Sequence, residues 1–479
     1  MSSNSAIVGD PGAKGAPLPT IFAFGSLGVP LAGILLIFGV YLPRYYVGLG
    51  VSFVAASGAI FAVRMIDMWL DLAVGFAMDR TKSPLGRYRL WTIIGVPLLM
   101  LGVWKLLMPQ GEVSAGYMIL WLLVAYAGNS MVSLGLAAWS AVIATSYHDR
   151  SRVFGWTQAM AVVGSVALLL LPRVTHGQIV LGKGSSMPMI GTILLVALPA
   201  AMLVCTLFTP ERLAVTQRQR FTLGDYWTAV RRPTVARIVL ADLALTLGPG
   251  TTAPLYVFFF HDAKGFSVAD VSFLLIFYIG AGLIGAPVWA RVARRFGKHR
   301  TVQIACVLYA IAQTVLMALP RVHDPYVFEQ MIPTLIGMFS VGFIASSFVL
   351  LVRAMVADIV DEVRLETGQD LTSLLFSLVT TTTKIGGTIT VAIVFPVLQL
   401  VGYNGKEGAA NTPQAVFGLE MCYLFAPIIL VFGGGLALLG YKLDASRHAQ
   451  IRAELEERER ASVAAAEETL TGPVVNPAQ

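Results

Sequence analysis

Arg64, Asp67 and Asp71 stand inside an otherwise apolar run from about Leu49 to Met78 that is long enough to cross a bilayer. At 100° per residue the three side chains fall within ~60° of one another on a helix, a single charged stripe that must face protein or water, not lipid. Two carboxylates so close cannot both stay ionised in a low dielectric unless a proton, a cation or a basic side chain sits between them. The chemistry on offer is reversible uptake of positive charge, as in a carrier. The competing account is a permanent ion pair that only holds helices together.

The elements that must position this stripe are membrane spans. A chain of 479 residues with a mean hydropathy of +0.73 and only 13% charged residues is far too apolar for a soluble protein. Hydropathy divides it into twelve spans, near 21–43, 49–78, 91–109, 115–146, 153–172, 189–208, 237–260, 267–290, 301–320, 329–357, 371–402 and 415–441. The expected class is an all-α polytopic membrane protein with 12 transmembrane helices in two six-helix halves. The division runs as an N-terminal tail at 1–20, a first bundle at 21–208, a linker at 209–236, a second bundle at 237–441 and a C-terminal helix and tail at 442–479. Loops on one side carry most of the Lys and Arg, so that side is expected to be cytoplasmic, with both termini on it. The segments Gly75 to Arg89 and Gly285 to Arg300 echo each other as basic turns after spans two and eight, although any cytoplasmic loop is basic. IRAELEERER, in the C-terminal tail, reads as a solvated, salt-bridged helix.

Other chemistries find little support. Cys205, Cys306 and Cys422 each lie alone in an apolar span, and the six histidines fall in loops, tails or span ends, so neither a disulfide framework nor a haem or catalytic metal is expected. The net charge of +7 belongs to topology-setting loops and implies no nucleic acid. Gly177 to Gly184 nearly spells a phosphate loop but lacks the final Ser or Thr and the strand-to-helix setting. No ATP-driven pump, enzyme or cofactor is expected. The first twenty residues lack the pattern of a cleavable signal, so no processing is expected.

Three segments carry a resemblance. RMIDMWLDLAVGFAMDRTKSPLGRYRLW (Arg64 to Trp91), MVADIVDE (Met355 to Glu362) and TTTKIGG (Thr381 to Gly387) resemble, in order and span number, motifs of the glycoside-pentoside-hexuronide:cation symporters of the melibiose-permease type, within the major facilitator superfamily. The resemblance implies symport of a small organic solute with H+ or Na+ by alternating access. Asp67 and Asp71 match the family's cation-site acids, Arg64 the preceding arginine and Lys384 the facing helix-eleven lysine. Lys384 and Arg64 are expected to hold the empty carrier by pairing with the acids.

Departures from the family are equally informative. Leu70 and Val132 stand where its sodium site has an amide and a helix-four hydroxyl, with Ser133 one residue away, and this favours a proton. At the sugar-clamp positions the chain has Val29 or Pro30, Gly135 and Gln158, with only Trp139 kept as an aromatic platform, so a galactoside is doubtful. Asp242 and Thr246 precede an expected break at Gly248-Pro249-Gly250, though Asp242 can also pair simply with Arg237. Asn129, Gln158, Thr380 and Arg353 complete the candidate solute contacts. Gly75, Asp79, Arg80, Asp358 and Asp361 are expected to latch the cytoplasmic gate. A less hydroxylated, amphiphilic or anionic solute, even a lysolipid on an uncoupled or sodium-coupled carrier, is the alternative. The location expected is a bacterial inner membrane, with the carrier acting as a monomer.

Overall fold

The computed structural model of the chain describes residues 17–81, 83–143, 147–174, 187–211, 223–321, 328–368, 371–406, 408–441 and 443–471. The Gly177 to Gly184 stretch lies outside them, and of the expected gate residue Asp79 only the helical backbone is described.

Backbone polar groups in a bilayer must be satisfied internally, and the apolar runs accordingly become helices. They are α1 (Leu18–Gly48), α2 (Phe53–Arg80), α3 (Arg87–Leu107), α4 (Ala115–Ile143), α5 (Tyr147–Val174) and α6 (Met187–Phe208) in the first half. The second half holds α7 (Pro233–Ala263), α8 (Val268–Phe296), α9 (Lys298–Ala318), α10 (Phe328–Thr367), α11 (Thr372–Leu400) and α12 (Pro413–Ala437). Among the described residues, 11 of these are long and apolar enough to span, while α5 has a shorter apolar core at Gly155–Leu171. A tail helix, α13 (Ala445–Thr471), follows.

Hydroxyl caps start several helices where the chain turns back: Ser52, Ser267 and Thr412 accept from Ala55, Asp270 and Ala415 N–H. Small residues let helices close up where no hydrophobic drive exists between them. A Cβ on Gly128 of α4 would sit 2.4 Å from Leu99 N of α3, and one on Gly102 would sit 2.6 Å from Ala125.

Two elements differ from the sequence expectation. The Gly248-Pro249-Gly250 segment does not break α7, whose helix runs on through it. Gly248 is wedged against Val431 and Pro427 of α12, and such neighbours hold a proline-containing helix in line. Span ten, expected to end near 357, continues to Thr367 as a 40-residue helix. At ~1.5 Å per residue that is ~60 Å, twice the hydrocarbon core. The extension is held by α13, which buries Ile451 and Leu455 and donates from Arg458 to Leu365 O at 2.8 Å.

The ends of the bundle differ. At the end remote from α13, Arg44 of α1 grips Asp262 of α7 through two hydrogen bonds of 2.6 and 2.8 Å. Tyr403 donates to the same carboxylate, and Tyr41 and Ser272 share a 2.7 Å hydrogen bond. Phe53 packs edge-on to Phe395 and tilted against Phe258, both at 5.2 Å between centroids. Together these contacts seal the two halves at this remote end.

Candidate cation site and transport cavity

Asp71 lies nine residues from the Arg80 end of α2, ~13 Å into the helix and near the membrane midplane. Asp67, one turn away and buried, accepts a 2.8 Å hydrogen bond from Ser130 of α4. Lys384 of α11 brings its ammonium onto Asp71 and to 4.0 Å from Asp67 Oδ2. A cation from one half thus sits between two carboxylates of the other. The cavity around them has a volume of about 290 Å³ and is also lined by Leu35, Tyr126, Asn129, Ser130 and Ser133. Asp71 Oδ1 and Asn129 Oδ1 are buried and accept no hydrogen bond among the described residues. Oxygens so placed are what an incoming proton or hard cation needs.

Arg64 departs from expectation. Its guanidinium lies over the Tyr126 ring, 5.4 Å from the centroid, and forms no ion pair with either acid. The electron-rich ring face offsets part of its charge, while its buried Nε has no hydrogen-bond acceptor among the described residues. Its Nη1 lies 3.6 Å from where a Cβ of Gly387 would be, ordinary van der Waals contact with the helix-eleven motif.

Trp139 is not a cavity platform. It is fully buried within its own half, donating to Pro210 O at 3.3 Å and packing on Phe24 and Arg89, because its face of α4 points away from α2. Val132 likewise turns inward, against Gly95 of α3. The helix-four hydroxyls are therefore not lost. Ser130 and Ser133 present them, and with Tyr126 their spacing of four and three residues makes one helix face. That spacing was the available signal for Ser130 and Tyr126, which sequence reasoning missed.

The remaining candidates separate. Asp242 is buried and accepts from Thr382 Oγ1 at 2.7 Å and Thr383 Oγ1 at 3.3 Å. Arg237, its expected partner, instead donates to Leu439 O and Gly440 O. Thr246 packs beside Gly386 of α11, and Arg353 reaches Thr380 Oγ1 at 3.4 Å. Gln158 is exposed on α5 and does not line the cation cavity. Among the gate residues, Gly75 has open space beside it and Arg80 lies over Phe76 at 3.7 Å. Asp358 is bound at 2.7 Å by Lys298, and Asp361 at 3.0 Å by His448 of α13, so both acids are held within the second half.

Two helical halves around a midplane cavity, with ionisable groups facing across it, define a secondary transporter of the major facilitator fold. The solved nucleoside transporter NupG superposes with a TM-score of 0.64 at 15% identity, covering 88% of this chain and 99% of that one. A bacterial homologue of the iron transporter ferroportin gives 0.61 at 13%, covering 88% and 98%.

The family is narrower than the fold. Residues 21–445 match the family described as MFS/sugar transport protein, and the chain belongs to it, among the melibiose-permease-like cation symporters. Relatives include the isoprimeverose transporter of Lactiplantibacillus pentosus, 26% identical over 84% of each chain. The sodium-dependent lysophosphatidylcholine symporter 1 of Mus musculus is 23% identical over 94% of this chain and 90% of its own.

Proposed function

We propose that this chain is a cation-coupled symporter of a small organic solute in which Asp67 and Asp71 take up the coupling ion and Lys384 replaces it when the site is empty. The observation that carries the reading is the ammonium of α11 lodged between two carboxylates of α2. An arriving proton or cation displaces the lysine, frees one half from the other electrostatically, and lets the halves rock about the solute.

Leu70, in place of an amide, supports a proton. The hydroxyl of Ser130 and the free oxygens of Asn129 and Asp71 support sodium, which needs several oxygen ligands. The solute reading follows the relatives: a glycoside, with a lysolipid as second reading because no carboxylate lies at the sugar-clamp positions. The loops rich in Arg support a cytoplasmic location for the face bearing α13, and the proposed membrane is a bacterial inner membrane. The halves span 21–208 and 237–441, joined by 209–236, with tails at 1–20 and 442–479, and one chain suffices for transport.

Proteoliposomes given an imposed pH or sodium gradient, with labelled isoprimeverose, raffinose and lysophosphatidylcholine as probes, test this. Wild type should concentrate one of them uphill, whereas Asp67→Asn and Asp71→Asn should each lose uphill accumulation and keep exchange. Accumulation undiminished in the double variant overturns the coupling site. Strict dependence on sodium defeats the proton reading alone.

A further inference from the structure

Asp242 presents a second buried carboxylate, at a depth that matches the first site. It lies nine residues in from Pro233 on α7, as Asp71 lies nine residues in from Arg80 on α2. Yet the two acids sit on opposite sides of α11: Lys384 meets the α2 acids, and Thr382, some 200° around the helix, meets Asp242.

The charged groups near Asp242 leave it without a salt bridge among the described residues. On α10, Arg353 is turned to Thr380; on α11, Lys384 is on Asp71; on its own helix, Arg237 is bound to two carbonyls. On α12, Glu420 lies at the far end of the bundle, 3.9 Å from Lys264. Arg353 is thus the cation that faces Asp242 from α10, but it stays on Thr380 and makes no ion pair with the acid. An ionised carboxylate deep in the bundle with no ion-pair partner is costly, and a proton or cation removes that cost.

The hydrogen-bond count favours the proton. Thr382 Oγ1 lies 2.7 Å from Asp242 Oδ2 and 2.8 Å from Val379 O. Thr383 Oγ1 lies 3.3 Å from the same Oδ2 and 3.0 Å from the same carbonyl. A hydroxyl has one hydrogen and cannot donate both ways. If Asp242 is ionised, Thr382 turns its hydrogen to the carboxylate. If Asp242 is protonated, its O–H donates to Thr382 Oγ1, whose hydrogen then goes to Val379 O, and every member is satisfied. The pair of threonines can serve both states without moving backbone.

We propose that Asp242 is a second protonation site of the carrier, distinct from the Asp67–Asp71 site and buffered by Thr382 and Thr383. This rests on the coupling reading above but requires no knowledge of the solute.

The test is infrared difference spectroscopy of the purified full chain, titrated with pH alone and then with sodium added. Wild type should show a protonated-carboxyl band that is lost in Asp242→Asn, kept in Asp67→Asn and Asp71→Asn, and unchanged by sodium. Thr382→Val, which keeps the carboxyl but removes its acceptor, should shift that band to higher frequency. It also decides the matter if Asp242→Asn fails to fold. A spectrum in which Asp242→Asn removes nothing, or in which Thr382→Val shifts nothing, overturns the proposal and leaves the Asp67–Asp71 reading intact. Uphill transport that survives the double Asp67→Asn, Asp71→Asn variant sinks that reading instead.

Discussion

Lys384 competes with whatever ion the α2 acids accept. At ~4 Å and an effective dielectric of ~20, unit charges attract by about 4 kcal/mol. The lysine side chain is 42% exposed, so solvent screening cuts that figure substantially. A residual of about 1.4 kcal/mol is still tenfold in affinity. Lys384→Gln should therefore lower the ion concentration for half-maximal thermal stabilisation about tenfold, read by melting of the purified protein in a sodium series and a pH series. An unchanged midpoint in both series would show that the lysine does not guard the site. At this scale the motif located the acids and the lysine but misassigned Trp139 and Val132. Each helical residue turns the side chain by 100°, so a sequence match fixes depth in the membrane better than direction.

The helices that carry these residues are held at distances set by glycine. On α4, Gly128 abuts the α3 backbone, whereas Gly58 of α2 has nothing within 4 Å of its notional Cβ. Gly128→Leu should force α3 and α4 apart and tilt the face bearing Ser130. Overpacking a close contact costs ~1–3 kcal/mol or more. Gly58→Leu should be tolerated. Monodisperse yield in size-exclusion chromatography separates the two, and equal yields would contradict the packing account. The overlong α10 has a related origin. Asp358, Asp361 and neighbouring charges end the apolar run but not the helix, because neighbours supply partners: Lys298 of α9 to Asp358 at 2.7 Å, and from α13 His448 to Asp361 at 3.0 Å and Arg452 to the same carboxylate at 3.9 Å.

Across the whole molecule the halves are locked at the end remote from α13. Arg44 and Asp262 are paired there with side chains only 3% and 19% exposed, and removing one partner of a buried pair costs ~3–5 kcal/mol. Arg44→Ala should thus shift the population toward the state open at that end by roughly a hundredfold or more. Labelling of Thr252→Cys, which lines a cavity behind the seal, by a membrane-impermeant thiol reagent checks this in a background lacking the native cysteines. No gain in labelling would mean that the aromatic cluster of Phe53, Phe258 and Phe395 suffices.

What the amino-acid sequence determined by itself was the number of spans and the charged stripe at Arg64, Asp67 and Asp71; the lysine opposite them came from the resemblance of the Thr381 to Gly387 motif. Hydropathy, helical periodicity and the cost of burying charge in lipid are local properties of a chain. Only the tertiary structure decided that Arg64 shares the cavity with the acids but lies over Tyr126 without pairing to them, that Ser130 joins Asp67, that Asp242 meets two threonines, and that Arg44 finds a partner 218 residues away. Those outcomes depend on how each helix is rotated about its axis and which neighbour it touches. That rotation is set by packing among all the helices together, so no single segment contains it.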